Sequence, residues 1–228
     1  MGKRFMIVSP HPDDAELGMG GAIINAASKG HAVSIVDLTS GEPTPYGSEE
    51  KRKGEAQEAD GILQISERVN LGLENRYLFD GKEARCALAE RIRLFRPDIL
   101  FCPYPEDAHP DHRAATRITE AARFYAKFTK VSLKGDPLYP PHLFYYFCSH
   151  LRIMPQFSFL ADITEQFMEK MRAIRCYRSQ FVDNPKNAFV FDYIEMQNRY
   201  LGMLIQTGYA EAIYSREPLR VDDMADVI

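Results

Sequence analysis

The sequence predicts an α/β fold, a three-layer sandwich built around a mostly parallel central sheet. Continuous apolar runs, as at residues 5–8 and 99–103, are typical of strands buried on both faces, which occur mainly in parallel sheets. Segments with apolar residues at helical spacing follow these runs, so strands and helices alternate. Clusters of His, Asp and Pro come directly after strands, where α/β proteins place their functional groups.

Length and composition exclude several classes of protein. The 228 residues suit a single domain spanning residues 1–228, and 45% hydrophobic and 26% charged residues are ordinary for a globular protein. A net charge of −4 provides no basic field, so we expect neither nucleic acid nor a membrane surface as a partner. No segment has the length of a membrane span. The four cysteines form no CxxC pair, which favours the reducing cytoplasm as the location.

The first half of the chain predicts four strand–helix pairs. The strands are expected at residues 5–8, 32–38, 68–71 and 98–103, and the helices at 16–28, 49–63, 82–95 and 113–128. The first helix has Leu17, Ile23 and Ile24 at apolar spacing, and Ser48 is expected to cap the second. Right-handed crossovers between successive strands make the predicted sheet Rossmann-like.

The second half is less regular. A long surface loop is expected at residues 129–141, followed by strands at 143–148 and 157–161. Helices are predicted at 162–177, where Ile163, Phe167, Met171 and Ile174 form an apolar stripe, and at 192–205. A short strand is expected at 208–214.

Two polar clusters follow the first and fourth strands. The first has the sequence Pro-His-Pro-Asp-Asp and contains His11, Asp13 and Asp14, whereas the second has the sequence His-Pro-Asp-His at residues 109–112. The prolines make the first turn rigid, because each restricts its own backbone and that of the preceding residue. Since parallel strands end at the same edge of a sheet, we expect the two clusters to converge.

The converged set suits metal-assisted hydrolysis of an amide or ester. A catalytic zinc ion usually has three protein ligands and one open position, and His11, Asp14 and His112 would supply two imidazoles and a carboxylate. Asp13 would remain beside the site as a general base for a water molecule. His109 would be a cationic donor to the developing oxyanion, with Asp111 setting its tautomer and charge.

Simpler interpretations exist for each part of this set. Asp111, or one of the first two aspartates, would serve equally as a helix cap. Arg52 and Glu55 would form an ion pair on a solvated helix face, although Arg52 lies near enough to the active edge to contact substrate. Gly18, Gly20 and Gly21 invite a nucleotide-binding interpretation, but their spacing differs from GxGxxG, and close helix packing accounts for them better.

Two competing functions stay open on the residues alone. His and Asp clusters also build the two-metal sites of phosphoesterases, although only one clear set of three ligands is present here. A nucleotide-binding module would use the glycines after the first strand, but it would leave the second cluster unexplained.

The paired motifs resemble those of a known family. His-Pro-Asp-Asp followed by Gly-Met-Gly-Gly, together with His-Pro-Asp-His, is similar to the LmbE/PIG-L family of zinc-dependent N-acetylglucosamine deacetylases. Thr39–Glu42 resembles the family's second loop, and softer C-terminal similarities include Tyr-Arg-Ser-Gln at 177–180 and Tyr-Ala-Glu at 209–211. The resemblance therefore extends over nearly the whole chain.

The resemblance implies one Zn²⁺ per chain, held by His11, Asp14 and His112, with Asp13 as general base. It implies that His109, oriented by Asp111, is the residue that stabilises the oxyanion or acts as an acid. It also implies a homo-oligomer and a small amino-sugar conjugate as substrate. The layout is most similar to deacetylases of bacillithiol biosynthesis, which act on an N-acetylglucosamine–malate conjugate. The loop at 42–48 departs from that pattern, with additional prolines and Tyr46.

Overall fold

The structure is a computed structural model that describes residues 2–148, 156–221 and 223. Seven strands and six α-helices form within these residues. In chain order they are β1 (Arg4–Ser9), α1 (Asp14–Ser28), β2 (Ala32–Thr39), α2 (Glu49–Leu63), β3 (Glu67–Leu73), α3 (Lys82–Phe95), β4 (Ile99–Pro103), α4 (Pro110–Tyr125), β5 (His142–Tyr146), β6 (Phe159–Asp162), α5 (Phe167–Cys176), α6 (Val190–Leu204) and β7 (Ala210–Tyr214). A π-helical turn, Arg178–Val182, lies between α5 and α6. None of the helices in the described segments is long and apolar enough to cross a membrane.

All seven strands belong to one sheet in the order β3-β2-β1-β4-β5-β7-β6. The four pairings among β1 to β5 are parallel, whereas β7 runs antiparallel to both β5 and β6. The predicted Rossmann-like, mostly parallel sheet is therefore confirmed. Its antiparallel end was not predicted, because strand direction depends on long-range pairing and leaves no local pattern.

Alternate residues of each central strand supply two separate cores. On β1, Ile7 packs into a cluster with α1, α2 and α5, whereas Met6 and Val8 pack on the opposite face against α3 and α4. These side chains have no exposed surface, which explains why residues 5–8 of β1 are all apolar. Helices on both faces of the sheet complete the three layers.

The strand order reverses at β1, which has β2 on one side and β4 on the other. Connections from β1 and β4 consequently leave the sheet in opposite directions and open a crevice beyond their carboxyl ends. Ligands of open α/β sheets bind at such a point. The two polar clusters follow these two strands, so the topology brings them together as predicted.

Several predicted boundaries were wrong by a few residues. Helix α1 begins at Asp14 rather than at residue 16, and α4 begins at Pro110, whose fixed backbone angle suits a first turn. The helix predicted from residue 162 begins only at Phe167, because Asp162 pairs with Ala210 as the last residue of β6. The π-helical turn was not predicted.

Close packing explains the glycines of α1, as the sequence interpretation proposed. A Cβ atom on Gly21 would lie 2.6 Å from Cβ of Ile163, and one on Gly18 would overlap the ring of Tyr146. The helix is kinked at Met19, where φ is −149°. Beyond the kink, the carboxylate of Glu211 accepts hydrogen bonds from the backbone N–H groups of Gly21 and Ala22, at 3.0 and 2.8 Å.

Candidate active site

The turn after β1 holds its side chains in a constrained geometry. The Ser9 hydroxyl donates to the backbone oxygen of His11 at 2.6 Å, and Asp13 has a φ of 127°. A positive φ is strained for any residue with a side chain, and such strain concentrates at functional sites. This backbone directs the neighbouring carboxylates of Asp13 and Asp14 to different partners.

Three potential metal-binding atoms converge around Asp14. Its Oδ2 atom lies 3.0 Å from Nδ1 of His11 and 3.3 Å from Nε2 of His112. The ligand atoms of these three residues all lie within 4.8 Å of one another. Two imidazole nitrogens and one carboxylate oxygen form a donor set that suits zinc, so the residues present fit the ion that the sequence predicts.

In both histidines, the ring nitrogen that does not face Asp14 lies beside a further carboxylate. Nε2 of His11 lies 3.2 Å from Oδ2 of Asp111, and Nδ1 of His112 lies 3.0 Å from Oδ2 of Asp107. Carboxylates in this position fix the ring orientation and raise the basicity of a ligating histidine. The outer contacts therefore strengthen the fit to a metal.

This arrangement corrects the predicted partner of Asp111. We expected its carboxylate to orient His109, but the carboxylate contacts His11 and accepts the backbone N–H groups of Arg76 and Leu78, at 2.7 and 3.3 Å. The alternative role as helix cap is also wrong, because the N-cap of α4 is His109, whose Nδ1 accepts the N–H of Asp111 at 3.1 Å.

The surroundings of His109 oppose the protonated state that the sequence analysis predicts for it. Burial, with repulsion from His112 and His11, lowers the pKa of His109 to about 4, and the nearby charge of Asp111 does not reverse this effect. A neutral ring whose Nδ1 accepts a hydrogen bond carries its proton on Nε2. These surroundings favour the neutral ring of His109 as the donor, in contrast to the cation that the sequence analysis predicts.

Asp13 is bound by Arg52 instead of by the histidines. Nη1 of Arg52 donates to Oδ2 of Asp13 at 2.6 Å and to the backbone oxygen of Pro12 at the same distance. Its Nε donates to Oε1 of Glu42 at 3.3 Å. The guanidinium is buried, so the predicted ion pair of Arg52 with Glu55 on a solvated face was wrong. Glu55 instead accepts hydrogen bonds from the backbone and hydroxyl of Ser179.

The two adjacent aspartates differ in pKa. Burial raises the pKa of Asp13 to about 7, although Arg52 acts in the opposite direction. Burial acts on Asp14 in the same sense, but the charge of His112 and the hydrogen bond from His11 outweigh it and hold the pKa of Asp14 well below its usual range. One fold thus gives two neighbouring carboxyl groups different proton affinities.

These groups line a cavity of about 230 Å³ at the edge of the sheet. Of the predicted site residues, His11, Asp13, Asp14, Arg52 and His109 lie in its wall, while His112 and Asp111 lie buried behind it. A larger cavity of about 1090 Å³ adjoins it and shares Pro43, Arg52, Asn75 and Arg76 as lining residues.

Sequence reasoning missed three side chains that support the site. Asp107 holds His112, Glu42 holds Arg52, and the amide of Gln180 donates to Oε1 of Glu42 at 3.4 Å and to Oγ1 of Thr44 at 3.0 Å. Asp107 could have been found from its place in the loop before the second cluster. Gln180 belongs to the family-like sequence at residues 177–180, but the π-helical turn that carries it to the site was not predicted.

Comparison with known proteins places the chain in a family. The family model described as "PIG-L: GlcNAc-PI de-N-acetylase" matches residues 6–123, which include both clusters. The chain belongs to the PIG-L family. It is accordingly a deacetylase of that family, and the resemblance carried by its two motifs is confirmed.

Relatives extend the similarity beyond the matched segment. Diacetylchitobiose deacetylase of Thermococcus kodakarensis is 27% identical, with 92% of this chain and 82% of the relative covered. A probable N-acetyl-α-D-glucosaminyl L-malate deacetylase 2 of Bacillus anthracis is 25% identical, with 78% and 82% covered. The crystal structure of the conserved protein TT1542 from Thermus thermophilus is 37% identical, with a TM-score of 0.88 over 96% of this chain and 97% of that one.

Proposed function

We propose that this PIG-L family member is a zinc-dependent hydrolase that removes the N-acetyl group from an N-acetylglucosamine derivative. The observation that carries the proposal is the convergence of Nδ1 of His11, Oδ2 of Asp14 and Nε2 of His112, with Asp13 held beside them by Arg52. Zinc held by these three residues would polarise the amide carbonyl and make water acidic near neutral pH.

The remaining side chains supply proton transfer and charge stabilisation. Asp13 accepts the proton of the attacking water and delivers it to the departing amine, in the role of general base and then general acid. His109 directs its Nε2–H toward the oxygen that becomes negative in the tetrahedral intermediate. Asp111 and Asp107 keep the two ligating rings in position, and Arg52 orients the Asp13 carboxylate.

The two adjoining cavities support a substrate with two parts. The smaller cavity brings the acetamide to Asp13 and His109. The larger cavity receives the rest of the conjugate, past Pro43 and Arg76, which line both cavities. The names of the relatives supply two candidates, N,N'-diacetylchitobiose and an N-acetylglucosaminyl malate conjugate. Both contain the N-acetylglucosamine unit that the proposed reaction needs.

Release of acetate tests the proposal directly. The protein is supplied with zinc, and acetate is measured with N-acetylglucosamine, diacetylchitobiose and the malate conjugate as separate substrates. We expect acetate from at least one of them. No acetate release from any of the three, together with hydrolysis of phosphate esters, would favour the two-metal phosphoesterase instead.

The metal ligands are tested through His112→Ala. We expect the variant to lose most of its zinc and its activity while keeping the circular dichroism spectrum of the native fold. His142→Ala is the control, because His142 is an exposed histidine at the start of β5. Full zinc occupancy in His112→Ala, measured by elemental analysis, would contradict the ligand assignment.

A further inference from the structure

Helix α6 has a second apolar face that points to solvent. Going along the helix from its N-cap, Phe189, Met196, Tyr200 and Met203 are 62%, 69%, 59% and 69% exposed, and Tyr193, between the first two, is partly buried. Scattered apolar residues on a surface need no explanation, but a continuous row of large ones marks an interaction site.

The row has the spacing of a coiled-coil seam. Its members follow one another at intervals of four, three, four and three residues, which places them on one narrow stripe of a helix. The opposite face already attaches the helix to the protein through the buried side chains of Val190, Ile194 and Leu201. Tyr193 also packs in part against this core, whereas Phe189, Met196, Tyr200 and Met203 are left largely exposed to solvent.

Charged residues border the stripe on one side only. Asp192 and Arg199 lie seven residues apart and therefore border the stripe along the same side of the helix, which we call a flank. Both are exposed, and neither has a salt bridge within the segments that the structure describes. The other flank carries Gln197 and Leu204. In an antiparallel helix pair the same flanks of the two helices meet, whereas in a parallel pair opposite flanks meet.

We propose that α6 is a self-association surface on which a second copy of this chain docks, with the two α6 helices antiparallel. About a two-fold axis, Asp192 of each copy faces Arg199 of the other, so the flank is complementary to itself. A parallel pair would place these charges against Gln197 and Leu204 and would leave them uncompensated. The exposed stripe would then be buried as the apolar seam of the pair.

The charge pattern argues against a membrane as the occupant. Interfacial helices are rich in Lys and Arg beside their apolar face. Here Arg199 is accompanied by the exposed Asp192 and Glu195, which give the borders of the stripe no net positive charge. A second copy pairs both charges of the flank with opposite charges, and a lipid surface does not pair them with each other's counterparts.

The proposed interface lies next to the active site. Asn187, two residues before the stripe, lines the smaller cavity and donates to the backbone oxygen of Gln180 at 3.1 Å. In an antiparallel pair, the C-terminal end of one α6 lies beside the start of the other. Association would therefore place the second copy close to the segment of the cavity wall that leads into α6.

The first test replaces one apolar residue of the stripe. The mass of the whole chain is measured by light scattering over a range of protein concentrations, and we expect an even multiple of the 26.1 kDa chain. Met196→Lys should raise the dissociation constant of the pair by about tenfold or more, because it places a charge in an apolar seam. Met168→Lys is the matched control, since Met168 on α5 is also 69% exposed but lies outside the stripe. The control should leave the mass unchanged.

The second test reverses charges on the surface and does not depend on the first variant. Asp192→Lys and Arg199→Glu, each alone, should weaken association by about tenfold, because like charges then face each other. The double variant Asp192→Lys/Arg199→Glu should restore it. Restoration is expected only for the antiparallel pair, in which the two positions meet.

Four results would overturn the proposal. The first three are a monomer at every concentration, an unchanged mass for Met196→Lys, and a double charge variant that associates no better than the single variants. The fourth is the absence of self-association together with binding to phosphatidylcholine or phosphatidylserine vesicles that Met196→Lys abolishes. Melting temperature and zinc content are measured for every variant, so that loss of the fold is recognised.

Discussion

At the scale of single residues, Asp13 and Asp14 show how neighbours in sequence acquire different chemistry. The strained backbone of Asp13 directs its carboxylate to Arg52, while Asp14, the first residue of α1, faces His11 and His112. Their partners, and not their residue type, separate a candidate base from a candidate metal ligand.

The roles of the two aspartates lead to a paired prediction. Asp13→Asn should keep its zinc and lose about a hundredfold to ten-thousandfold in kcat, because an amide cannot accept a proton. Asp14→Asn should lose both zinc and activity. Zinc content and turnover are measured on the same samples. If Asp13→Asn lost its zinc, the two assignments would have to be exchanged.

Asp111 leads to a prediction different from the one its sequence position suggested. Because its carboxylate holds Nε2 of His11, Asp111→Asn should weaken zinc binding about 10- to 100-fold. Asp107→Asn should act similarly through His112. Titration with a competing chelator measures both, and Asp98→Asn, at the opposite end of the sheet, is the control. Unchanged zinc affinity in both site variants would show that these carboxylates do not support the ligands.

At the scale of elements, a buried ion pair holds the kinked helix α1 in place. Nζ of Lys170 donates to Oε1 of Glu211 at 2.7 Å and to Oδ1 of Asn198 at 2.9 Å, and both charged side chains are fully buried. Glu211 in turn accepts the two backbone N–H groups beyond the kink. Helices α5 and α6, strand β7 and the helix that begins at Asp14 thus share one polar network.

Removing one charged member of this network should strongly destabilise the folded protein. Lys170→Met should lower the free energy of unfolding by about 3–5 kcal/mol, because it leaves the charge of Glu211 buried without its partner. Arg172→Met on the same helix removes an exposed ion pair with Glu169 and should cost about 1 kcal/mol at most. Urea denaturation measures both. Equal effects of the two substitutions would contradict the role assigned to burial.

At the scale of the whole molecule, metal binding and stability are linked. The proposed ligands come from the ends of two strands about a hundred residues apart in sequence, so only the folded chain brings them together. Removing zinc with a chelator should therefore lower the melting temperature without changing the secondary structure. A ligand present at a thousand times its dissociation constant contributes about 4 kcal/mol. Calorimetry measures the shift, and His112→Ala should show little of it.

An equal response of His112→Ala to the chelator would mean that the stabilising metal lies elsewhere. In the segments that the structure describes, other groups with metal-ligand atoms close together overlap the proposed set, since they contain His11 or His112. Such a result would therefore require the ligands around those two histidines to be reassigned.

The sequence by itself determined the class of fold and the residues that meet at the active edge. Strands buried on both faces require continuous apolar residues, and rigid proline turns after two of them, at His11 and at His109, left a visible pattern. Helix boundaries were less certain, because a residue such as Asp162 is assigned to a strand by pairing with Ala210, which no local pattern reveals.

Only the tertiary structure decided which side chain each group in the site contacts. Asp111 lies two residues from His109 but binds His11, and Arg52 lies three residues from Glu55 but binds Asp13. Hydrogen bonds and ion pairs act over about 3 Å, so their partners depend on how strands and loops distant in sequence are packed. The sequence indicates which chemical groups are available at this edge, and packing determines how they are paired.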